Sequence, residues 1–441
     1  MHSQKAIRST RRAAVTSAVV VGTAALLLAG CASGGSATTG SPTSDRGAHI
    51  TFLNQSRGQQ AALTALAAQY GKKTGVIVTV DTPGPVDFPA KLQADAQSKQ
   101  MPDIYSALDH TTMAPFYKAG WAMDLSKELK GAWGDSFSSQ VIKLSSFDKG
   151  NNLGVKPGTY SVHWETLSYA VLADDKNSGL NANKLPQTTD DLIKQLAASN
   201  RSGTGGFSVA ASLTPYLLQN VASNWLTDQQ ISDTFNGKYK WTSAGWKHAF
   251  QFIADLKKAG AISGASLPGG ANDNPTVETN FFTKHTVGAY FDASPGVSVG
   301  HATSPDYTAY FSFTLPKAPD GKYAPRSAAV PGKGASINPR GKNVQASLDF
   351  VKWLTEPAQQ KYFADQAFII PTSPALINDT SKLPPALTGF AQGIKHLQLI
   401  PNTFSPQVKD AISRDVQRLV LGQMSVDEVA SDVQSAQDSS Q

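Results

Sequence analysis

The stretch HITFLNQSRGQQAALTALAAQYGKKTGVIVTV, residues 49–80, decides the fold of this chain. Its first six residues favour a β-strand, which ends in the polar cluster Asn54-Gln55-Ser56. Apolar residues then recur at helical spacing, at Leu63, Leu66, Ala67 and Tyr70. Gly71 and Gly75 close this helix, and residues 76–80 are typical of a buried strand. The order strand, helix, strand predicts a βαβ unit in a mainly parallel sheet.

The alternation continues in the next segment and places polar residues at a second strand end. Residues 88–97 predict a helix, and residues 104–107 predict a short strand that is followed by Asp109 and His110. Ligands of such sheets collect beyond the carboxyl ends of the strands. Asn54, Asp109 and His110 are therefore candidate ligand contacts. Further along, we expect helices at 192–198, 246–254, 346–354 and 408–419, and a strand at 310–315.

Composition limits the class of protein. The chain has 441 residues, of which 40% are hydrophobic and 16% charged, so we expect two or three folded domains rather than a disordered or coiled-coil chain. Four of the 39 basic residues lie in the first dozen positions, which leaves 35 against 33 acidic residues elsewhere. This nearly neutral body gives little support for a nucleic-acid partner. The single cysteine excludes a disulfide scaffold.

The N-terminal segment predicts export. Basic residues within 5–12 precede an uncharged apolar run at 13–30, which is the pattern of a secretory signal. The run ends in Leu28-Ala29-Gly30-Cys31, which resembles the bacterial lipobox, so we expect a signal peptide over 1–30 and acylation of Cys31. A single-pass anchor is the alternative, and Arg11-Arg12 leaves a twin-arginine export route open. Residues 31–47 are small and polar and predict a flexible tether.

Five ordered segments resemble those of the extracellular solute-binding proteins of ABC importers, the family of maltose-binding-protein-like carbohydrate receptors. These segments are FPAKLQA (88–94) with MPDI (101–104), PFYKAGWAMDL (115–125), FFTKHTVGAY (281–290), ASLDFVKWLTEP (346–357) and LGQMSVDE (421–428). Their common order behind a lipobox is specific to this family. Where many sugar-binding members carry a tryptophan, this chain has Ala293-Ser294-Pro295-Gly296, so one stacking platform is absent.

The resemblance implies an α/β, two-lobe periplasmic-binding-protein-like fold, with a ligand cleft between lobes that are joined by crossover strands. We assign 48–164 and 302–365 to the N-terminal lobe, and 165–301 and 366–441 to the C-terminal lobe. The implied function is that of a non-catalytic receptor, which binds a carbohydrate by lobe closure and delivers it to the transmembrane subunits of an ABC permease. We expect a monomer that is held on the outer face of the cell membrane by its lipid alone, with no cofactor or metal.

A sugar cleft needs planar polar groups for the hydroxyls and aromatic rings for the sugar faces. Trp164 and Glu165 stand where the first crossover should begin, and the run from Glu165 to Ser168 resembles a ligand-contacting segment of the maltose-binding members. Thr214-Pro215-Tyr216 resembles another such segment, with Tyr216 in the aromatic position. The predicted ligand-binding residues are Trp164, Glu165, Tyr216, Asp109, Asp292, His110 and Asn54.

Two alternatives stay open at this point. The chain has no HExxH, GxSxG or GxxxxGK[ST] motif, but the two facing carboxylates of a secreted glycosidase leave no such motif. A solute-binding protein for a non-sugar ligand, such as a polyamine, a phosphate ester or a peptide, is the other alternative. Asp109, Glu165 and Asp292 would suit a polyamine.

Replacing Cys31 by serine should release the protein from the membrane fraction, because serine offers no thiol for acylation. Fractionation of cells that express Cys31→Ser beside the unmodified chain measures this, with Ser33→Ala as the matched control. A processed Cys31→Ser chain that stays in the membrane would contradict the lipoprotein prediction.

Overall fold

The computed structural model describes residues 46–84, 87–200, 204–264, 271–377 and 383–440; the predicted signal peptide and Cys31 lie outside these ranges. The strands are β1 (His49–Leu53), β2 (Ile77–Asp81), β3 (Ile104–Ala107), β4 (Ser146–Phe147), β5 (Gly158–Thr159), β6 (Val162–His163), β7 (Tyr169–Asp174), β8 (Phe207–Ala210), β9 (Ala271–Asn272), β10 (Ala289–Ala293), β11 (Tyr310–Phe313), β12 (Ser327–Ala328), β13 (Gly334–Ile337) and β14 (Leu397–Gln398). The helices are α1 (Gln60–Thr74), α2 (Phe88–Gln97), α3 (His110–Lys118), α4 (Ser139–Leu144), α5 (Thr189–Ser199), α6 (Thr214–Ala222), α7 (Asp228–Phe235), α8 (Ala244–Lys258), α9 (Asn274–Glu278), α10 (Pro295–Thr303), α11 (Val344–Leu354), α12 (Pro357–Ala367), α13 (Pro374–Ile377), α14 (Pro385–Ile394), α15 (Pro406–Val420) and α16 (Val426–Ser439).

The predicted βαβ unit builds the first of two five-stranded sheets, in the order β2-β1-β3-β13-β6. β1 runs parallel to β2 and β3, while β13 is antiparallel to both β3 and β6. α1 buries Leu63, Leu66 and Tyr70, which confirms the helical pattern read from the sequence. Gly75 ends α1 at a φ of 81°, a conformation that glycine adopts without strain.

The second sheet has the order β11-β7-β10-β8-β9. β8 is parallel to β10 and β9, whereas β7 is antiparallel to β10 and β11. α6, α8, α15 and α16 pack together beside this sheet. β11 falls within 302–365, which was expected in the N-terminal lobe, but Phe311 and Phe313 are buried in the core of the second lobe. That part of the assignment is corrected, and the other lobe boundaries stay predictions.

The chain passes between the sheets at residues 164–168, again between β11 and β13, and again after α12. Glu165 forms an isolated antiparallel bridge with Pro371, and the N–H of Thr166 donates to the carbonyl of Ile370 at 2.7 Å. Two of the crossing segments therefore lie side by side and join the two lobes. None of the helices within the described ranges combines the length and apolar character that a bilayer span requires.

Candidate functional site

Loops from both sheets line a cavity of about 690 Å³, called the main cavity below. The first sheet contributes residues 55–59, which follow β1, and Lys333, which precedes β13. The second sheet contributes residues 211–213 after β8, together with Asp292 and the first turn of α10. Parallel strands end at a common sheet edge, which brings these polar residues together from distant parts of the chain.

Asn54 positions the first of these loops instead of lining the cavity. Its side chain is buried, and its Oδ1 accepts from the N–H of Ser56 at 2.9 Å. Its Nδ2 donates to the carbonyl of Ser56 at 3.3 Å and to the hydroxyl of Thr82 at 3.1 Å. These bonds hold the turn that presents Ser56 and Arg57 to the main cavity. The structure thus gives Asn54 a supporting position rather than the direct ligand contact that was expected.

An ion pair joins the two lobes beside the main cavity. Arg57, which follows β1, donates to Glu278 of α9 over an Nη2–Oε2 distance of 2.5 Å, and Glu278 also accepts from Asn274 at 3.0 Å. Burial raises the pKa of Glu278, although the Arg57 guanidinium opposes this shift. Next to the pair, Gly58 lies so close to α10 that a β-carbon at residue 58 would be 2.4 Å from the carbonyl carbon of Ser298. The lobes therefore touch directly here.

Asp292 presents an oxygen without a partner to the main cavity. The residue is 2% exposed; its Oδ1 accepts from the N–H of Ala293 at 2.7 Å, and its Oδ2 has no partner within the described residues. Burial, reinforced by the carboxylate of Glu278, raises the pKa of Asp292 to about 8. Gly296 leaves room for the carboxylate, because a β-carbon there would lie 2.1 Å from Oδ2.

Glu165 lies directly behind the wall of the main cavity. Gln59, which lines the cavity, donates to Oε2 of Glu165 at 2.7 Å and accepts from Nε1 of Trp164 at 2.7 Å. Oε1 of Glu165 has no partner in the part of the chain that the structure describes. Burial raises the pKa of Glu165 to about 7, although the ammonium of Lys333 opposes the shift. Its predicted ligand contact stays a prediction, with Gln59 as the group that connects it to the cavity.

Trp164 lies in the core of the first lobe and not in the cleft where it was expected. It has no exposed surface, and its ring stacks on Phe363 of α12 with 5.4 Å between centroids and 8° between planes. Gln59 accepts the one hydrogen bond that the indole can donate. Neighbouring residues of an extended segment point to opposite sides, so Trp164 enters the core while Glu165 faces the cavity wall.

Tyr216, His110 and Asp109 lie together, but at a second and much smaller cavity of about 40 Å³ that is lined by Tyr216 and His110. Lys409 of α15 connects Asp109 with Tyr216, since its Nζ is 3.3 Å from both Asp109 Oδ1 and the Tyr216 hydroxyl. Burial acts to raise the pKa of Asp109, but Lys409 and hydrogen bonds from Thr112 outweigh it and lower the pKa. Burial lowers the pKa of His110 to about 4. This group joins the lobes at a second place.

Sequence reasoning missed Arg57, Glu278, Ser298 and Lys333. Arg57 directly follows the polar cluster that ends β1, so a longer reading of that loop would have included it. Glu278 lies 221 positions away from Arg57 along the chain, and no local pattern marks it as a partner. Ser298 and Lys333 likewise carry no signal of their own in the sequence.

The profile of the family described as bacterial extracellular solute-binding protein matches residues 54–361. Among solved structures, an ABC transporter solute-binding protein from Thermotoga lettingae, bound with alpha-D-tagatose, is 19% identical with a TM-score of 0.73, covering 89% of this chain and 99% of that one. The GacH receptor of Streptomyces glaucescens, solved with acarbose, is 17% identical with a TM-score of 0.71, covering 89% and 98%. A Caldanaerobius polysaccharolyticus protein described with xylan utilization is 16% identical with a TM-score of 0.73, covering 88% and 99%. No curated protein sequence matches. At these identities, the likeness shows a shared two-lobe fold.

Trp164→Ala should lower the free energy of unfolding by about 3–5 kcal/mol, because it removes a fully buried ring from the core. Trp164→Phe, which keeps a ring against Phe363, should cost much less. Denaturant unfolding of the unliganded protein measures both. If Trp164→Ala is as stable as the unmodified protein but no longer binds ligand, the core position is wrong and Trp164 lines the cleft.

Proposed function

Because this chain belongs to the family of bacterial extracellular solute-binding proteins, we propose that it is the carbohydrate receptor of an ABC importer. A lipid on Cys31 anchors it to the outer face of the cell membrane, and residues 31–47 tether the folded part to that anchor. It binds a sugar between its lobes as a monomer, performs no catalytic step, and delivers the sugar to the transmembrane subunits of the permease.

The observation that carries this proposal is a set of polar atoms around the main cavity. Ser56 Oγ, Asn274 Oδ1, Asp292 Oδ2 and Ser298 Oγ are buried at its wall and have no hydrogen-bond partner among the described residues. Buried polar groups in folded proteins are nearly always hydrogen-bonded. Such a wall is complementary to a ligand that carries several hydroxyl groups in a ring, as a sugar does.

The size of the cavity and the neighbouring structures support the same ligand class. About 690 Å³ falls within the range of ligand pockets, which is about 300–1,000 Å³. The Thermotoga lettingae protein is bound with tagatose, and a maltotriose-bound protein from Bdellovibrio bacteriovorus has the same fold at 15% identity. These ligands belong to those proteins, and for this chain they support a mono- or oligosaccharide.

Lobe closure is the proposed mechanism. The Arg57–Glu278 pair, the Asp109–Lys409 pair and the approach of Gly58 to α10 join the lobes and would break when the cleft opens. A sugar that contacts both walls adds interactions only in the closed form and so shifts the balance toward it. The permease then receives the closed, loaded receptor.

A thermal-shift screen of mono- and oligosaccharides tests the function. A sugar at 100 times its dissociation constant should stabilise the fold by about 2.7 kcal/mol and raise the melting temperature accordingly. Polyamines, phosphate esters and peptides in the same screen serve as the comparison. If only one of these non-sugar classes raises the melting temperature, the carbohydrate assignment is wrong.

Gly58→Ala tests closure. The added β-carbon would lie 2.4 Å from the backbone of α10 in the closed form, so it should hold the lobes apart. We expect sugar affinity to fall by about tenfold or more, while the melting temperature of the unliganded protein stays the same. Gly131→Ala is the matched control, because its β-carbon would have no neighbour nearer than 3.8 Å. Small-angle scattering should show sugar-induced compaction in the control and not in Gly58→Ala; equal affinities in the two variants would contradict the closure mechanism.

A further inference from the structure

The buried charges around the main cavity are unequal in number. Glu165, Glu278 and Asp292 are buried carboxyl groups, whereas the cations beside them are Arg57 and Lys333. Arg57 is paired with Glu278 at 2.5 Å. With all five groups ionised, the set would carry one excess negative charge, in a place where charges are poorly solvated.

Asp292 is the carboxyl group that this excess of negative charge leaves without a cation. Its Oδ1 accepts from the N–H of Ala293, while its Oδ2 lies at the cavity wall with no partner among the described residues. Lys333, the second cation, directs its Nζ to the side-chain oxygen of Gln55 at 2.8 Å. The Tyr290 hydroxyl faces this carboxyl but carries no charge, and an ionised oxygen that is buried without a cation is unfavourable. A ligand that brings its own positive charge to Oδ2 removes that penalty.

Stacking does not supply recognition in this cavity. The described residues of its wall include no aromatic side chain. The tryptophan expected after β10 in many sugar receptors is replaced here by Ala293 and its small neighbours. Among the described residues of the wall, charge and hydrogen bonds are therefore the directional interactions that can orient the ligand.

We infer that the ligand is an amino sugar, or a short saccharide that contains one, and that Asp292 binds its protonated amine. This inference rests on the proposed function and specifies the kind of carbohydrate. An ammonium group has three N–H donors and a positive charge, which suit Asp292 Oδ2 and the unpartnered oxygens of Asn274 and Ser298 on the same wall. A hydroxyl in that position donates a single hydrogen bond and brings no positive charge that would favour the ionised carboxylate, and hydrogen bonds to ionised partners are the stronger ones.

The protonation of Asp292 predicts a pH dependence of ligand affinity that also reports on this contact. Burial and Glu278 of α9 raise the pKa of Asp292 to about 8, and the other titratable groups that face it are Tyr290 of β10 and Lys333 before β13. Near pH 6, the unliganded carboxyl therefore holds a proton, which a bound ammonium must displace. Affinity for an amino sugar should rise between about pH 5.5 and pH 7, and affinity for the hydroxyl counterpart should change much less.

Calorimetric titration of the purified chain tests the inference with sugars that differ only by an amine or a hydroxyl on the second ring carbon. The pairs are glucosamine and glucose, galactosamine and galactose, and the glucosamine β-1,4-disaccharide and cellobiose. We expect at least one amino sugar to bind about tenfold or more tightly than its partner. Asp292→Asn should weaken binding of that amino sugar about 10- to 100-fold and change binding of the hydroxyl partner less than about threefold. Asp432→Asn, at an exposed position of α16, is the control that should leave both unchanged.

The outcomes separate the inference from the function on which it rests. If the unmodified protein binds both sugars of every pair with equal affinity, the inference is overturned, whereas the proposed carbohydrate function is not affected. This outcome can be read without any variant. An amine preference that persists in Asp292→Asn also overturns it. If no pair binds, the inference is overturned, and the saccharide screen decides the proposed function separately. Spermidine binding without any sugar would overturn both.

Discussion

The contact of three crossing segments at Glu165 is the constraint on which the rest of the structure depends. The first segment bridges to Pro371 of the last one, and Thr166 donates to Ile370 at 2.7 Å. The middle segment passes so close that a β-carbon at Gly332 would lie 2.0 Å from the carbonyl oxygen of Glu165. Because the chain enters and leaves each lobe at this one place, the loops that follow β1 and β10 face each other across the main cavity.

The electrostatics of the cavity follow from that arrangement. Glu165 at the junction is buried, and α9 and β10 of the second lobe place the buried carboxyl groups of Glu278 and Asp292 on the other side of the main cavity. Burial raises the pKa of all three carboxyl groups, and Glu278 raises that of Asp292 further, while Arg57 opposes the shift at Glu278 and Lys333 opposes it at all three. Arg57 and Lys333 supply two positive charges beside these three carboxyl groups. The same geometry that forms the cavity therefore also places oxygens at its wall that have no hydrogen-bond partner among the described residues.

Closure and ligand binding are linked through the same residues. Arg57 and Gly58 stand on the loop that Asn54 holds in place, and both meet the second lobe at α9 and α10. Asp109 and Tyr216, which share Lys409, make a separate connection between the lobes away from the main cavity. In the proposed closure mechanism, a ligand in the main cavity adds its contacts to those that Arg57 and Gly58 make with the second lobe.

Local patterns in the sequence determined the elements. α1, α2 and β3 lie where hydrophobic spacing predicted them, because this signal depends on neighbours a few positions apart. The order of the family segments was sufficient for the fold. The tertiary structure alone decided which side chains meet. Glu278 joins Arg57 from 221 positions away, and Trp164 enters the core while the adjacent Glu165 faces the cavity wall. A pairing between residues on distant loops and helices leaves no trace in local spacing, so the charges of the cavity could be identified only once the two lobes were placed together.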